Sequence, residues 1–201
     1  MMMTTTNVPF SMVKHYDLSS ALTALQCEGL LLIPTDTVWS IACDATDRVA
    51  IERLRRLGKP SYYRPIEILF ADLDQLKAYV DQLHPRLETL LLYHLRPLTI
   101  VTERALGLPD RVLMPGGALA ARLTQDDYCR QLIEALGRPL ATLPAAPDEH
   151  LPPPAGFGFI RSDIIENVDY VARYRQKDRQ ADELSVMVKL DDLEELAFIR
   201  E

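Results

Sequence analysis

Cysteine and histidine are scarce, and neither forms a pattern that would bind a metal. The chain has 201 residues, with three cysteines and four histidines. They are Cys27, Cys43, Cys129, His15, His84, His94 and His150. The cysteines are odd in number and far apart, which fits neither a disulfide framework nor a zinc ribbon. The histidines show neither metal-ligand spacing nor a triad arrangement. We therefore predict reduced cysteines in the core, no metal site and no catalytic histidine.

Long apolar segments are also missing. No run approaches the roughly 18 apolar residues that a membrane-spanning helix needs. Residues 1–10 are rich in threonine and lack the basic flank and the hydrophobic centre of a signal peptide. The sequence therefore predicts a cytoplasmic protein without a membrane partner.

The chain has no excess of positive charge, since its net charge is −7. This balance argues against broad, nonspecific binding of nucleic acid, because neutralised phosphates supply most of that affinity. Two local basic stretches remain, namely Arg53, Arg55, Arg56, Lys59 and Arg64, and later Arg173, Arg175, Lys177 and Arg179. A solvated helix face and a charged loop are the simpler interpretations of these stretches. Local binding of RNA stays open.

The composition is that of an ordinary globular domain. Hydrophobic residues make up 48 % of the chain and charged residues 25 %. A chain of this length buries about 70 % of its unfolded surface without help from metals or disulfides. We therefore predict one domain that folds alone.

Helical patterns and apolar runs alternate along the chain. The segment Asp17-Leu18-Ser19-Ser20 offers an N-cap for a helix over Ala21 to Cys27, which we expect Gly29 to end in a left-handed conformation. Thr46 and Asp47 cap a second helix. That helix ends at Gly58 and Pro60. Further helices are predicted over 73–80, 84–95, 126–136 and 160–166, and strands over 66–70, 98–101, 119–123, 140–143, 168–172, 186–190 and 196–200. The alternation predicts an α/β fold with a twisted, mixed sheet.

One segment is predicted to be neither a helix nor a central strand. Pro144 to Pro154 contains too many prolines for a helix or a central strand. We predict a loop or a sheet edge there.

Polar side chains follow the first predicted strand, an apolar run that begins directly after Gly29 and ends at Leu32 and Ile33. Thr35, Asp36 and Thr37 come next. Ligands of open α/β sheets bind where strands end, and these side chains offer donors and acceptors. The simpler alternative is a strand followed by a capped turn.

Four segments together point to a known family: Pro34-Thr35-Asp36-Thr37-Val38-Trp39 with Cys43-Asp44-Ala45-Thr46, Arg96-Pro97-Leu98-Thr99-Ile100-Val101, Ala120-Ala121-Arg122-Leu123, and Val168-Asp169-Tyr170-Val171-Ala172-Arg173-Tyr174-Arg175-Gln176. In this order and spacing they resemble the YrdC-like family, whose best-known members are threonylcarbamoyl-adenylate synthases. The resemblance implies an α/β fold: a single YrdC-like domain over 18–201, with a twisted mixed β-sheet flanked by helices. Residues 1–17 would form an N-terminal extension.

The family's enzymes join threonine, bicarbonate and ATP into threonylcarbamoyl-AMP and release pyrophosphate, a step in tRNA modification. Carried onto matching positions, Thr35 and Thr37 would border the substrate pocket. Thr99 and Arg122 would hold anionic groups of threonine or nucleotide, and Ser185 would reach the nucleotide side. A guanidinium suits this task because it binds carboxylate or phosphate through two hydrogen bonds.

Three motifs of the family are altered. Its Lys-x-Arg, which faces the ATP phosphates, falls on Gly58-Lys59-Pro60, and its Ser-x-Asn, which contacts the nucleotide, falls on Pro144-Ala145-Ala146. Its Gly-x-Gly reads Ser40-Ile41-Ala42. Lys59, Arg64, Arg55 and Arg56 are the candidates for substitute cations. Without a substitute, a large loss of adenylyl transfer is expected, since removing one good donor adds about 3 kcal/mol to a barrier.

Three hypotheses follow. The first is a degenerate relative of the synthase that keeps a pocket for a small ligand or a nucleotide, with lost or altered catalysis. The second is an active, divergent synthase, which would use ATP and Mg²⁺. The third is a protein that binds tRNA or double-stranded RNA through a basic face.

Overall fold

Strands and helices alternate along the computed structural model, which describes residues 15–146, 150, 152–154, 156–179 and 183–201. The helices are α1 (His15–Gln26), α2 (Arg48–Gly58), α3 (Leu73–Ala78), α4 (Pro85–Tyr93), α5 (Asp127–Leu136) and α6 (Ser162–Glu166). The strands are β1 (Leu31–Pro34), β2 (Trp39–Asp44), β3 (Glu67–Phe70), β4 (Leu98–Thr102), β5 (Leu119–Leu123), β6 (Leu140–Pro144), β7 (Tyr170–Val171), β8 (Val186–Leu190) and β9 (Leu196–Arg200). Short 3-10 turns span Asp110–Val112 and Phe157–Phe159. None of the described helices is long and apolar enough to cross a membrane.

The nine described strands form one mixed sheet in the order β7-β1-β2-β6-β3-β5-β4-β8-β9. The pairs β1–β7, β3–β5 and β4–β8 are parallel, and the other neighbours are antiparallel. The mixed α/β sheet predicted from the sequence is therefore confirmed. Because β3, β5, β4 and β8 are consecutive, side chains on one face of these strands meet in space.

The core lies between the sheet and the helices packed on it. Helices α1, α2 and α5 contact β1, β2 and β3, respectively, and contribute Leu25, Leu54 and Leu132 to the core. Most of the largest fully buried side chains are apolar, but Arg122 is among them. A guanidinium in this position needs charged partners, since charged groups are rarely buried unless paired.

The first helix begins earlier than predicted. Because α1 starts at His15, Asp17 lies inside its first turn and not at an N-cap. The Asp17 carboxylate is buried and accepts hydrogen bonds from the Tyr170 hydroxyl and from the backbone N–H groups of Arg173 and Tyr174. Asp17 therefore ties α1 to the chain around β7, a long-range contact that no local pattern reveals.

The end of α1 also differs from the prediction. The left-handed residue is Glu28, with φ 58°, and not Gly29. Gly29 passes so close to the helix that a Cβ on it would lie 2.5 Å from the carbonyl oxygen of Ala24. The glycine is needed for this close approach rather than for a left-handed turn.

Gly29→Ala is expected to lower the free energy of unfolding by about 1–3 kcal/mol, because the added methyl must displace backbone at the end of α1. Urea denaturation measures the loss. Gly158→Ala is the control, since a Cβ there would meet nothing within 4 Å. Equal losses in the two variants would contradict the steric account.

Helix α2 begins as predicted and ends one residue differently. The Asp47 side chain accepts hydrogen bonds from the backbone N–H groups of Val49 and Ala50, which confirms it as the N-cap. The left-handed residue at the other end is Lys59, with φ 46°, between the glycine and the proline expected to stop the helix. This conformation places an exposed lysine at the end of α2.

Two parts of the sheet were not predicted. Strand β2 was missed because all six of its residues are buried, Ser40 and Asp44 included, so it lacks the alternation of a half-buried strand. Pro144 was assigned to a loop or an edge, but it ends the interior strand β6 and is the register partner of Ser40. As the last residue of the strand, this proline removes at most one N–H from the hydrogen-bond ladder. Residues 147–149 and 151 of the predicted loop lie outside the described residues. The other predicted elements agree with the structure within two residues at each end.

The prediction of core cysteines is wrong for one of the three. Cys43 and Cys129 are buried, but Cys27 is exposed after the end of α1. Burial raises the pKa of both inner thiols well above the usual value. Within the described chain, no group of three or more His, Cys, Asp or Glu side chains is placed to hold a metal ion.

Candidate functional site

Two predicted site residues, Thr35 and Thr37, lie in the turn that joins β1 to β2. The Thr35 hydroxyl donates to the carbonyl oxygen of Val38 at 2.8 Å and accepts from the backbone N–H of Thr37 at 3.1 Å. Both side chains are buried, and their hydroxyl oxygens lie 3.0 Å apart. Short polar side chains hold turns through such bonds to the backbone. Thr35 thus fixes the turn, and Thr37 faces Arg122.

Arg122, on β5, is the centre of the site, with a side chain only 2 % exposed. Its Nη1 lies 2.7 Å from Asp36 Oδ1 and 3.3 Å from Thr37 Oγ1. Its Nε lies 3.2 Å from Glu67 Oε2, an ion pair that falls short of hydrogen-bond geometry. The other Asp36 oxygen accepts from the backbone N–H of Gln125 at 3.0 Å. Two buried carboxylates of the chain itself therefore pair with the guanidinium that was predicted to hold a ligand.

Glu67, on β3, meets the other predicted ligand-binding side chains. Thr99, on β4, donates to Glu67 Oε2 at 3.1 Å, and the Ser185 hydroxyl, just before β8, lies 3.3 Å from both carboxylate oxygens. The Thr99 and Ser185 hydroxyl oxygens are 2.7 Å apart, and all three side chains are buried. The structure therefore brings Thr99, Ser185 and Arg122 together around one carboxylate, for which the sequence analysis predicted no role.

A second guanidinium reaches the site from the edge strand β9. Arg200 Nη2 lies 2.5 Å from Glu67 Oε1 and 2.7 Å from Ser185 Oγ. Arg200 Nε donates to the carbonyl oxygen of Ser185, and Nη1 to that of Tyr63, both at 2.8 Å. Every nitrogen of this guanidinium thus has an acceptor. We call Asp36, Glu67, Arg122 and Arg200 the charge cluster, in which two carboxylates balance two guanidiniums.

The members of the charge cluster keep one another ionised. Burial lowers the pKa of Arg122, but the nearby Asp36 and Glu67 carboxylates outweigh it, so the pKa lies above its usual value. Burial raises the pKa of Glu67, but Arg122, Arg200 and the Thr99 hydroxyl outweigh it, so this pKa lies below its usual value. Both groups are charged at neutral pH.

No described hydrogen bond or ion pair joins Arg55, Arg56 or Lys59, three of the four predicted substitute cations, to the charge cluster. Arg55 donates to a carbonyl oxygen of the 3-10 turn after β4 at 2.8 Å. Arg56 and Lys59 are exposed, and Arg64 is half-buried. The cation that reaches the predicted pocket is Arg200, from the far end of the chain.

One residue of the second basic stretch, Arg175, contacts the turn between β1 and β2. Its Nη1 lies 2.9 Å from Asp126 Oδ2 and 3.4 Å from the carbonyl oxygen of Thr35. Asp126 is the buried N-cap of α5 and accepts from the backbone N–H of Cys129 at 3.0 Å. Burial raises the pKa of Asp126, and the Cys129 N–H and Arg175 offset this only in part. Arg175 therefore braces the β1–β2 turn against the start of α5.

A cavity of about 730 Å³ lies beside the end of β6. Its lining includes apolar and charged side chains, among them Ala146, Phe157, Phe159, Lys177, Asp178 and Arg179. Phe157 packs on Trp39 with ring centroids 5.2 Å apart, whereas Phe159 is 79 % exposed. Among the described contacts, no ion pair engages Lys177 or Arg179. We call this space the Phe159 cavity.

Comparison with known proteins identifies relatives. The Sua5/YciO/YrdC family model, described as telomere recombination, matches residues 23–201. The threonylcarbamoyl-AMP synthase of Yersinia enterocolitica is 28 % identical over 131 residues, which cover 64 % of this chain and 69 % of that protein. The threonylcarbamoyl-AMP synthase of Klebsiella pneumoniae is 27 % identical over 142 residues, which cover 69 % of this chain and 72 % of that protein.

Solved structures share the fold. Sua5 of P. abyssi complexed with L-threonine has a TM-score of 0.77 at 20 % identity, over 92 % of this chain. This chain spans 54 % of that protein. YciO of E. coli has a TM-score of 0.78 at 19 % identity, over 92 % of this chain and 88 % of YciO. The family match covers most of the chain, and the fold agrees with it, so this chain belongs to the Sua5/YciO/YrdC family.

Proposed function

We propose that this chain is a family member that binds a nucleotide and does not carry out the synthase reaction. One observation carries the second half of the proposal. The side chains predicted to hold anionic groups of the substrates, Arg122, Thr99 and Ser185, contact the Glu67 carboxylate of the chain itself. Adenylyl transfer depends on donors that are free to meet developing negative charge. In this site a substrate anion must compete with Glu67 for those donors.

The side of the site expected to hold ATP supports the same conclusion. Lys59 is exposed at the left-handed end of α2, and no described contact directs it toward Arg122. Pro144 and Ala146 stand where the family carries a serine and an asparagine. Neither side chain has a polar atom that can form a hydrogen bond, so the polar side-chain contacts of that motif are missing.

The Phe159 cavity is the proposed nucleotide site. Its volume falls within the range of about 300–1,000 Å³ that small-molecule sites occupy. The exposed Phe159 ring offers a flat surface on which a base can stack, and Lys177 and Arg179 supply positive charge for phosphate. We therefore propose that the base contacts Phe159 and that the phosphates lie toward the two cations.

Turnover is tested by pyrophosphate release from ATP in the presence of bicarbonate and threonine. The purified chain is expected to release none above background, and the Yersinia threonylcarbamoyl-AMP synthase serves as the positive control. Arg122→Ala, run in parallel, detects contaminating enzyme. Release by the wild type that disappears in this variant would overturn the proposed loss of turnover.

Phe159→Ala is expected to weaken the binding of AMP about 5- to 150-fold, because stacking of a base on an aromatic ring contributes about 1–3 kcal/mol. Titration calorimetry measures the change in Kd. Phe198→Ala, which removes a phenyl ring that is 57 % exposed on β9, is the matched control. An unchanged Kd in Phe159→Ala, or no binding by the wild type, would contradict the proposed nucleotide site.

A further inference from the structure

We infer that Glu67 is a resident anion of the Arg122 site and the residue that excludes small anionic ligands from it. Its carboxylate takes up the donors that would otherwise bind a carboxylate or phosphate group. The inference rests on the proposed function, since it concerns the same side chains, but it has its own test. It identifies Glu67 as the residue that determines the specificity of this site.

The donors around Glu67 converge from neighbouring strands. Arg122 on β5 is the register partner of Thr99 on β4, and β8, which Ser185 precedes, is paired with β4 on its other side. Arg200 arrives from β9, the next strand. These four side chains lie within 2.5–3.3 Å of the Glu67 carboxylate oxygens. The strands β5, β4, β8 and β9 thus bring their donors together, and β3, the middle strand of the sheet, supplies the anion.

The donor set is of the kind that binds a free anion. Two guanidiniums and two hydroxyls match the geometry of a carboxylate or a phosphate. The fit to Glu67 itself is incomplete, because Arg122 Nε has no hydrogen-bond acceptor in the described structure although Glu67 Oε2 is only 3.2 Å away. The position of the Glu67 carboxylate is set by β3, whereas a free anion can turn to meet this N–H.

Tethering explains why Glu67 holds the site nevertheless. A group attached to the same chain acts at a high effective concentration, on the order of millimolar or more. Its binding also adds no cost of translational freedom, which a free ligand must overcome. A small anion therefore does not displace Glu67, and the wild-type site rejects it.

The test removes the tethered carboxylate and supplies a free one. Glu67→Ala leaves Arg122 and Arg200 facing the space of the lost side chain. Thermal unfolding is measured in sodium acetate and in sodium chloride of equal ionic strength. Acetate at ten times its Kd is expected to raise the Tm of the variant by about 3–6 °C over chloride, with no difference for the wild type.

A control variant tests whether the acetate effect is specific to the site of Glu67 or follows the removal of any buried acid. Asp44 is also buried and pairs with one guanidinium, that of Arg138, at 3.0 Å. Asp44→Ala is expected to show no acetate effect, because a single, half-exposed guanidinium does not form a closed anion site. Equal acetate effects in the two variants would overturn the inference, and so would the lack of any effect in Glu67→Ala.

Glu67→Ser, which creates a smaller space, provides the second variant if Glu67→Ala does not fold. If neither folds alone, the yield of refolding from urea with acetate and with chloride gives the same comparison. A yield raised by acetate supports the inference, and equal yields overturn it. Pyrophosphate release by the wild type would contradict the proposed loss of turnover, but it would not change what the acetate result says about Glu67. Absence of an acetate effect in an inactive protein would remove only the inference.

Discussion

Replacing Arg122 by methionine is expected to lower the free energy of unfolding by about 3–5 kcal/mol. The side chains of Asp36 and Glu67 are 5 % and 9 % exposed, and Arg122 is the cation they share. Without it, the buried Asp36 carboxylate keeps, among the described contacts, only the backbone N–H of Gln125, and Glu67 keeps Arg200 as its one cation, so the desolvation of Asp36 is no longer offset by a charge. Guanidinium chloride denaturation at pH 7 measures the loss from the shift of the midpoint at constant slope.

Arg130→Met is the matched control, because it breaks an ion pair with Asp127 in which both side chains are largely exposed. Such surface pairs contribute about 0–1 kcal/mol. A second test neutralises Asp36 as well, by combining Arg122→Met with Asp36→Asn, and leaves Glu67 paired with Arg200. This double variant is expected to recover part of the loss, since Asp36 is then no longer a buried charge without a cation. A loss below 1 kcal/mol in Arg122→Met would contradict the central place of Arg122.

The sequence predicted much of the fold because local patterns determine it. The alternation of apolar runs and helical patterns yielded eight of the nine described strands, and the Asp47 cap marked the start of α2. Where prediction failed, the cause was a long-range contact or full burial. Asp17 is not the predicted N-cap. Its hydrogen-bond partners, Tyr170, Arg173 and Tyr174, lie more than 150 residues away in the sequence.

The residues of the candidate site were also predicted only in part. Motif resemblance singled out Thr99, Arg122 and Ser185, and the structure brings them together. Motif resemblance did not single out Glu67 or Arg200, although each is the only charged residue of its predicted strand. Their contact joins residues 133 positions apart and depends on the register of β8 and β9, which shifts between Met187 and Val188. A charged residue in a predicted strand was the available signal, but only the sheet order reveals its partner.

Glu67→Gln is expected to lower the free energy of unfolding at pH 7 by about 3 kcal/mol, because Arg200 then has only neutral partners and Arg122 keeps only Asp36. The difference from the wild type is expected to shrink in acid. The pKa of Glu67 in the folded protein lies below the ordinary value of 4.5, because Arg122 and Arg200 outweigh its burial. The unfolded chain therefore binds this proton more readily than the folded protein does. The stability that ionised Glu67 confers is complete above pH 4.5 and is lost as the pH falls through its folded pKa.

A variant of Asp126 is expected to change the pH dependence of stability in the opposite direction. Burial raises its pKa above the ordinary 3.8, so the folded protein binds this proton more readily than the unfolded chain. Its contribution is complete below pH 3.8 and is lost as the pH rises through the folded pKa, which partly cancels the effect of Glu67 in acid. Urea denaturation from pH 7 to pH 3 is therefore expected to show a flatter acid loss for Glu67→Gln and a steeper one for Asp126→Asn than for the wild type. Parallel pH profiles for all three proteins would mean that neither carboxylate titrates differently in the folded protein, and the charge cluster would then not hold Glu67 ionised.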